Sequence, residues 1–80
     1  MVMFQKVEEE ARKDLIKLYE DYIKDKNNPE LEEKALWCEQ KYGGQEVLSK
    51  EVSHAGWKAS DIALKELDLN EAKEILKTLK

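Results

Sequence analysis

Apolar side chains return along this chain at intervals of three and four with polar residues between them, and no stretch keeps the period of two that a half-buried strand requires. Phe4, Ala11, Leu15, Leu18 and Tyr22 form one seam, flanked by Val7, Ile16, Tyr19 and Ile23. They predict a first helix from about Met3 to Lys26 with a broad apolar face. Glu8, Glu9 and Glu10 near its start and Lys24 and Lys26 near its end suit the helix dipole. Glu8 with Arg12, Glu9 with Lys13 and Glu20 with Lys24 are favourable pairs four apart. Asn27-Asn28-Pro29 ends this helix, because the residue before a proline resists helical geometry. The same residues open the next, with Asn28 as cap and Pro29 in its first turn. The second helix, Pro29 to Tyr42, puts Leu31, Ala35, Cys38 and Tyr42 on one side with Leu36 and Trp37 beside them, and Gly43-Gly44 closes it in left-handed geometry. So short a connection makes the first two helices an antiparallel hairpin.

The stretch from Gln45 to Leu67 reads as a central helix. Leu48, Val52, Ala55, Ala59 and Ile62 share one face, which Ala63 and Leu67 widen. Gly56 interrupts it, and the expectation is a bend or break there with Ser60 capping the second half. Asp68 with Glu71 has the form of a capping box, and Leu67 with Ala72 that of its hydrophobic staple. The last helix then runs from Leu69 to about Leu79, burying Leu69, Ala72, Ile75, Leu76 and Leu79. The expected fold is all-α, a small irregular bundle of four or five helices forming a single domain over residues 1–80. Its N-terminal antiparallel hairpin packs on a central helix bent or broken near Gly56 and on a C-terminal helix.

Length and composition sharpen this. At 80 residues and 9.4 kDa the core is one layer of side chains thick. Cys38 stands alone, so no disulfide framework reinforces it, and a lone thiol suits the reducing cytoplasm. Small cores without such reinforcement gain stability from a second copy. The self-association face expected here, giving a homodimer, is Phe4, Ala11, Leu15, Leu18 and Tyr22. No run approaches the roughly 20 apolar residues of a membrane span, and Met1 to Val7 is too short and too soon acidic for a signal peptide.

No catalytic residue, metal or cofactor is expected. His54 and Cys38 are the only residues of their types, and no glycine-rich elbow, oxyanion donor cluster or orienting carboxylate is recognisable for either. Ser53 beside His54 is no dyad, since adjacent helical residues point about 100° apart. Glu8 to Glu10 and Glu30, Glu32 and Glu33 are acids at helix starts, and Gly43-Gly44 lacks the strand and the Lys-Ser/Thr of a phosphate loop.

Leu48 to about Leu67 resembles a helix-turn-helix, with Ala55-Gly56-Trp57 at the turn and Ile62 packing the second helix on the first. That likeness implies nucleic-acid binding, with Lys58 and Lys65 offered to phosphate. Asp61 and Glu66 stand among them, however, and the formal charge of -4 opposes it. Ala55-Gly56-Trp57, Ala63-Leu64 and Glu71-Ala72-Lys73-Glu74-Ile75-Leu76 also resemble ubiquitin-associated-type three-helix modules, whose loop reads Met-Gly-Phe. The spacings here are shorter and two helices precede the match, so the likeness implies a helical interaction fold and transfers no binding residue.

Protein binding is the expected function, as a regulator, inhibitor or assembly factor, with nucleic-acid binding through residues 48–67 as the alternative. Up to Glu46 there are eight Lys and Arg against twelve Asp and Glu, while from Val47 onward six face six, so the acid excess belongs to the hairpin. A one-layer core cannot hide Phe4, Tyr19, Tyr22, Trp37, Tyr42 and Trp57 completely. The expected partner site has Trp37 or Tyr42 as anchor among Glu30, Glu33 and Glu39, and fits a protein with a basic surface.

Overall fold

The computed structural model describes the backbone from residue 2 onward and the side chains from Val7 onward; Phe4 lies outside the described side chains. Four helices account for the described chain: α1 (Val2–Lys24), α2 (Glu30–Tyr42), α3 (Lys50–Ala63) and α4 (Leu69–Leu79). No helix among the described residues is long and apolar enough to cross a membrane.

The local signals act much as their chemistry dictates. Asn28 Oδ1 accepts from the Glu30 N–H at 3.0 Å, and Pro29 sits at the α2 boundary in helical geometry. Asp68 caps α4, accepting from the N–H groups of Asn70 and Glu71 at 3.0 and 3.2 Å. Gly44, at φ 67°, supplies the left-handed residue after α2.

The central stretch departs from expectation. Its helix begins at Lys50, because Ser49 caps it by accepting from the Val52 N–H at 3.3 Å, and residues 45–48 form a turn. It then runs unbroken through Gly56, and Ser60 lies inside it with its hydroxyl bonded to the Trp57 carbonyl. The glycine serves packing instead of chain reversal: a Cβ there would stand 2.7 Å from Gly43 N and 2.8 Å from the Tyr42 carbonyl carbon. The reversal falls at Lys65, whose φ of 61° lets Glu66 and Leu67 bond back to the Asp61 carbonyl.

Backbone contact at Gly43 and Gly56, with Ala35, Cys38, Ala55 and Ala59 buried nearby in sequence, makes α2 and α3 the most closely joined helix pair. α1 packs chiefly on α4, so each helix of the N-terminal hairpin engages a later helix more than its hairpin partner. The α1 seam fills the centre: Ala11, Leu15, Leu18, Tyr19 and Tyr22 are all fully buried. Three tyrosine hydroxyls tie the layers together. Tyr19 donates to the Ala55 carbonyl, Tyr22 to the Leu67 carbonyl and Tyr42 to Asp14 Oδ2, each at 2.6 Å. A further polar cluster joins three elements: Glu8 accepts from the Ser49 N–H and hydroxyl, both at 2.9 Å, and Arg12 spans from Glu8 to the Leu79 carbonyl.

Candidate functional site

Trp37 stands on the flank of α2, about 100° round the helix from Cys38, and keeps 47% of its surface exposed. One edge meets the Tyr42 ring in a T-shaped contact with centroids 5.9 Å apart, and Lys41 Nζ lies 4.6 Å from the indole centre, within cation–π range. Toward the start of α2 the indole borders an open recess of about 310 Å³ lined by Glu30, Glu33 and Lys34. Helical periodicity assembles this group, since Glu30, Glu33 and Trp37 follow one another at intervals of three and four.

Two expected members do not join it. Tyr42 is 1% exposed and its hydroxyl is committed to Asp14, so it backs Trp37 from within the core and offers a partner nothing. Glu39 lies two residues past Trp37, which turns it about 160° away, toward the flank that meets α3. The expected self-association face is also spent: Ala11, Leu15, Leu18 and Tyr22 are fully buried against the chain's own helices. That one broad helix face goes into the chain's own core.

The catalytic and nucleic-acid constellations are not assembled. Cys38 is fully buried, and burial, followed by the nearby Asp14 charge, pushes its thiol up to about 11; His54 is exposed on the outer side of α3 beside Trp57. With α3 continuous there is no turn at Ala55-Gly56-Trp57, which removes the geometry shared with helix-turn-helix and ubiquitin-associated-type modules. Lys58 pairs with Asp61 and Glu71 at 3.7 and 3.8 Å, and Lys65 sits in the turn beyond α3, so the two cations do not share a recognition helix.

The glutamate at the Ser49 cap is Glu8. Burial works against its ionisation, but the Ser49 N–H and hydroxyl and the Arg12 guanidinium outweigh that and hold its carboxyl below the usual range. Sequence reading found the Glu8–Arg12 pair without its third member, because Ser49 lies far away along the chain. A wider trough of about 640 Å³ runs between α1 and the end of α4 over Ile16 and Leu79. Of its cations, Arg12 is engaged by Glu8 and Leu79, and Lys80 by Glu20 at 3.0 Å.

From sequence Trp57 belongs to the turn expected at Gly56, packed where helices meet; on the continuous α3 it is instead 60% exposed, the most exposed aromatic side chain among those described. Its ring lies 6.3 Å from His54 and 5.6 Å from Lys58 Nζ. Leu36 and Leu64 remain exposed as well. Comparison with protein-family models, curated proteins and solved structures found no match in any of the three.

Proposed function

We propose that this protein acts by binding another protein, as a regulator, inhibitor or assembly factor, through the flank of α2 that carries Trp37, Glu30 and Glu33. The observation behind this reading is the half-exposed indole on a helix whose inner face is already filled by Leu31, Ala35, Cys38 and Tyr42. Folding consumes those four and leaves the tryptophan over. An exposed indole bordered by carboxylates suits a basic surface with an apolar notch: the ring supplies area that binding can desolvate, and the acids steer approach. A lone, buried, reduced thiol agrees with work in the cytoplasm.

The test uses two baits, the parent chain and Trp37→Ala, in affinity capture from native extract with salt-step elution. A protein retained by the parent at low salt, released as salt rises and absent from the Trp37→Ala bait is the expected result. Equal capture by both baits would remove Trp37 from the site. Elution dominated by nucleic acid would transfer the function to that class.

A further inference from the structure

The flank of α2 opposite Trp37 forms a second surface together with α3. The two helices run antiparallel in a register fixed at three points. Gly44 N–H donates to the Ser53 carbonyl at 3.4 Å, the Ser53 hydroxyl donates to the Gln45 carbonyl at 2.6 Å, and Gly43 abuts Gly56. About two turns back along α2 from Gly43 stands Leu36, and about two turns forward along α3 from Trp57 stands Leu64. That register lays Leu36, Trp57 and Leu64 along one outer groove, where they are 42%, 60% and 64% exposed. The α2 wall also carries Glu32 and Glu39, about one turn to either side of Leu36. Neither forms an ion pair among the described side chains.

We propose that this outer α2/α3 groove docks a basic amphipathic helix of a partner protein. Its apolar stripe covers Leu36, Trp57 and Leu64, and its lysines or arginines reach Glu32 and Glu39. Trp57 and Leu64 stand one heptad apart, so a helix laid along α3 meets both with side chains of a single face. Charge favours a basic helix over a second copy as occupant, because two chains of formal charge -4 repel each other while a basic helix is drawn in. The inference stands independently of the Trp37 site.

The experiment uses the full chain as Trp37→Phe, which leaves Trp57 as the sole indole. The probe is a synthetic helical peptide with leucines on one face and lysines on both flanks of that face. A saturable blue shift of Trp57 emission is expected as the indole leaves water. Affinity should fall at least about tenfold when Leu36→Ala and Leu64→Ala are added, and also when Glu32→Gln and Glu39→Gln are added instead. Circular dichroism checks that these variants keep the fold, and their exposed positions make that the expected result. The proposal is overturned by no shift at about 100 μM peptide, by equal binding of a version with glutamates in place of the lysines, or by undiminished binding to either pair of variants. A shift produced by raising the protein concentration alone would also overturn it, by giving the groove to a second copy.

Discussion

Tyr19, Tyr22 and Tyr42 lie inside this protein with every hydroxyl hydrogen-bonded, whereas Trp37 and Trp57, larger and with no less apolar surface, stay about half outside. Apolar area alone would reverse that order. Spacing explains part of it: where α2 and α3 meet at Gly43 and Gly56 their backbones nearly touch, and no indole fits between. A phenol ring spans the layer above and reaches a carbonyl or a carboxylate on the far side. The tyrosines are therefore part of the folding mechanism, and the indoles are what the core had no place for.

If the α1 seam is core and not a surface for a second copy, Leu18→Ala should destabilise the chain by about 2 to 5 kcal/mol, the cost of a cavity at a fully buried site. Its melting temperature should not depend on protein concentration, in the parent or the variant. A melting point that rises with concentration would restore the self-association face. Gly56→Ala comes next. Alanine inside an exposed helix would gain about 1 kcal/mol, but here its Cβ meets backbone, and a net loss of about 1 to 3 kcal/mol is expected in denaturant melts. A stabilised variant would show that the two backbones separate without cost.

The hydroxyls rank by what each would leave behind. Tyr22→Phe strands the Leu67 carbonyl, which has no other protein donor among the described loop bonds, and should cost about 1 to 3 kcal/mol. Tyr19→Phe should cost about 0.5 to 1.5 kcal/mol, because the Ala55 carbonyl lies inside α3 and also serves the helix ladder. The same groups set an alkaline limit. Burial pushes all three hydroxyls above their usual value of 10.0, with the Asp61 and Asp14 charges adding to it. Their contribution is complete while folded and unfolded chains both keep the proton. Above pH about 10 the unfolded chain ionises first, so stability should decline steadily from there toward the folded values. Glu8 has the opposite sign: its lowered value contributes above the usual carboxylate range and is lost as pH falls through the folded value. Urea melts across pH locate both edges, and an alkaline decline unchanged in Tyr22→Phe would remove that hydroxyl from the account.

Much of the fold was legible because its signals are local. The α1 seam from Ala11 to Tyr22, the Asn28-Pro29 junction and the Asp68 cap each depend on neighbours within about a turn, and each formed as expected. Of the α4 seam, Ala72, Ile75 and Leu79 are buried, whereas Leu76 is only partly so and Leu69 stays exposed at the first turn. Gly56 misled because a helical glycine looks alike from sequence whether it ends a helix or admits another backbone, and only the approach of Gly43 distinguishes the two. Lys65, an ordinary-looking residue, takes the left-handed position instead. The candidate site was legible in half. Trp37, Glu30 and Glu33 follow from helical spacing. The sequence left both Trp37 and Tyr42 as anchors, and Tyr42 was excluded only by Asp14 on another helix. Glu39 was misplaced by grouping residues near in sequence without following the 100° step. The groove of Leu36, Trp57 and Leu64 needed the antiparallel register of two helices, which no single stretch encodes.

The smallest expected effect tests the outer half of the comparison. Trp57→Ala removes a large side chain, but one that is 60% exposed, touched by His54 and with Lys58 lying over its ring. Those contacts are worth little at a wet surface, since a cation over an exposed ring contributes about 0.5 to 1 kcal/mol and a solvated edge contact less. The backbone at this position does the packing, because Gly43 approaches the Trp57 Cα and N, and alanine preserves both. The variant should therefore melt within about 1 kcal/mol of the parent, well below the loss at Leu18. A loss of about 3 kcal/mol or more would make the indole a structural lid over the Gly43–Gly56 contact, and its exposure would no longer call for a partner.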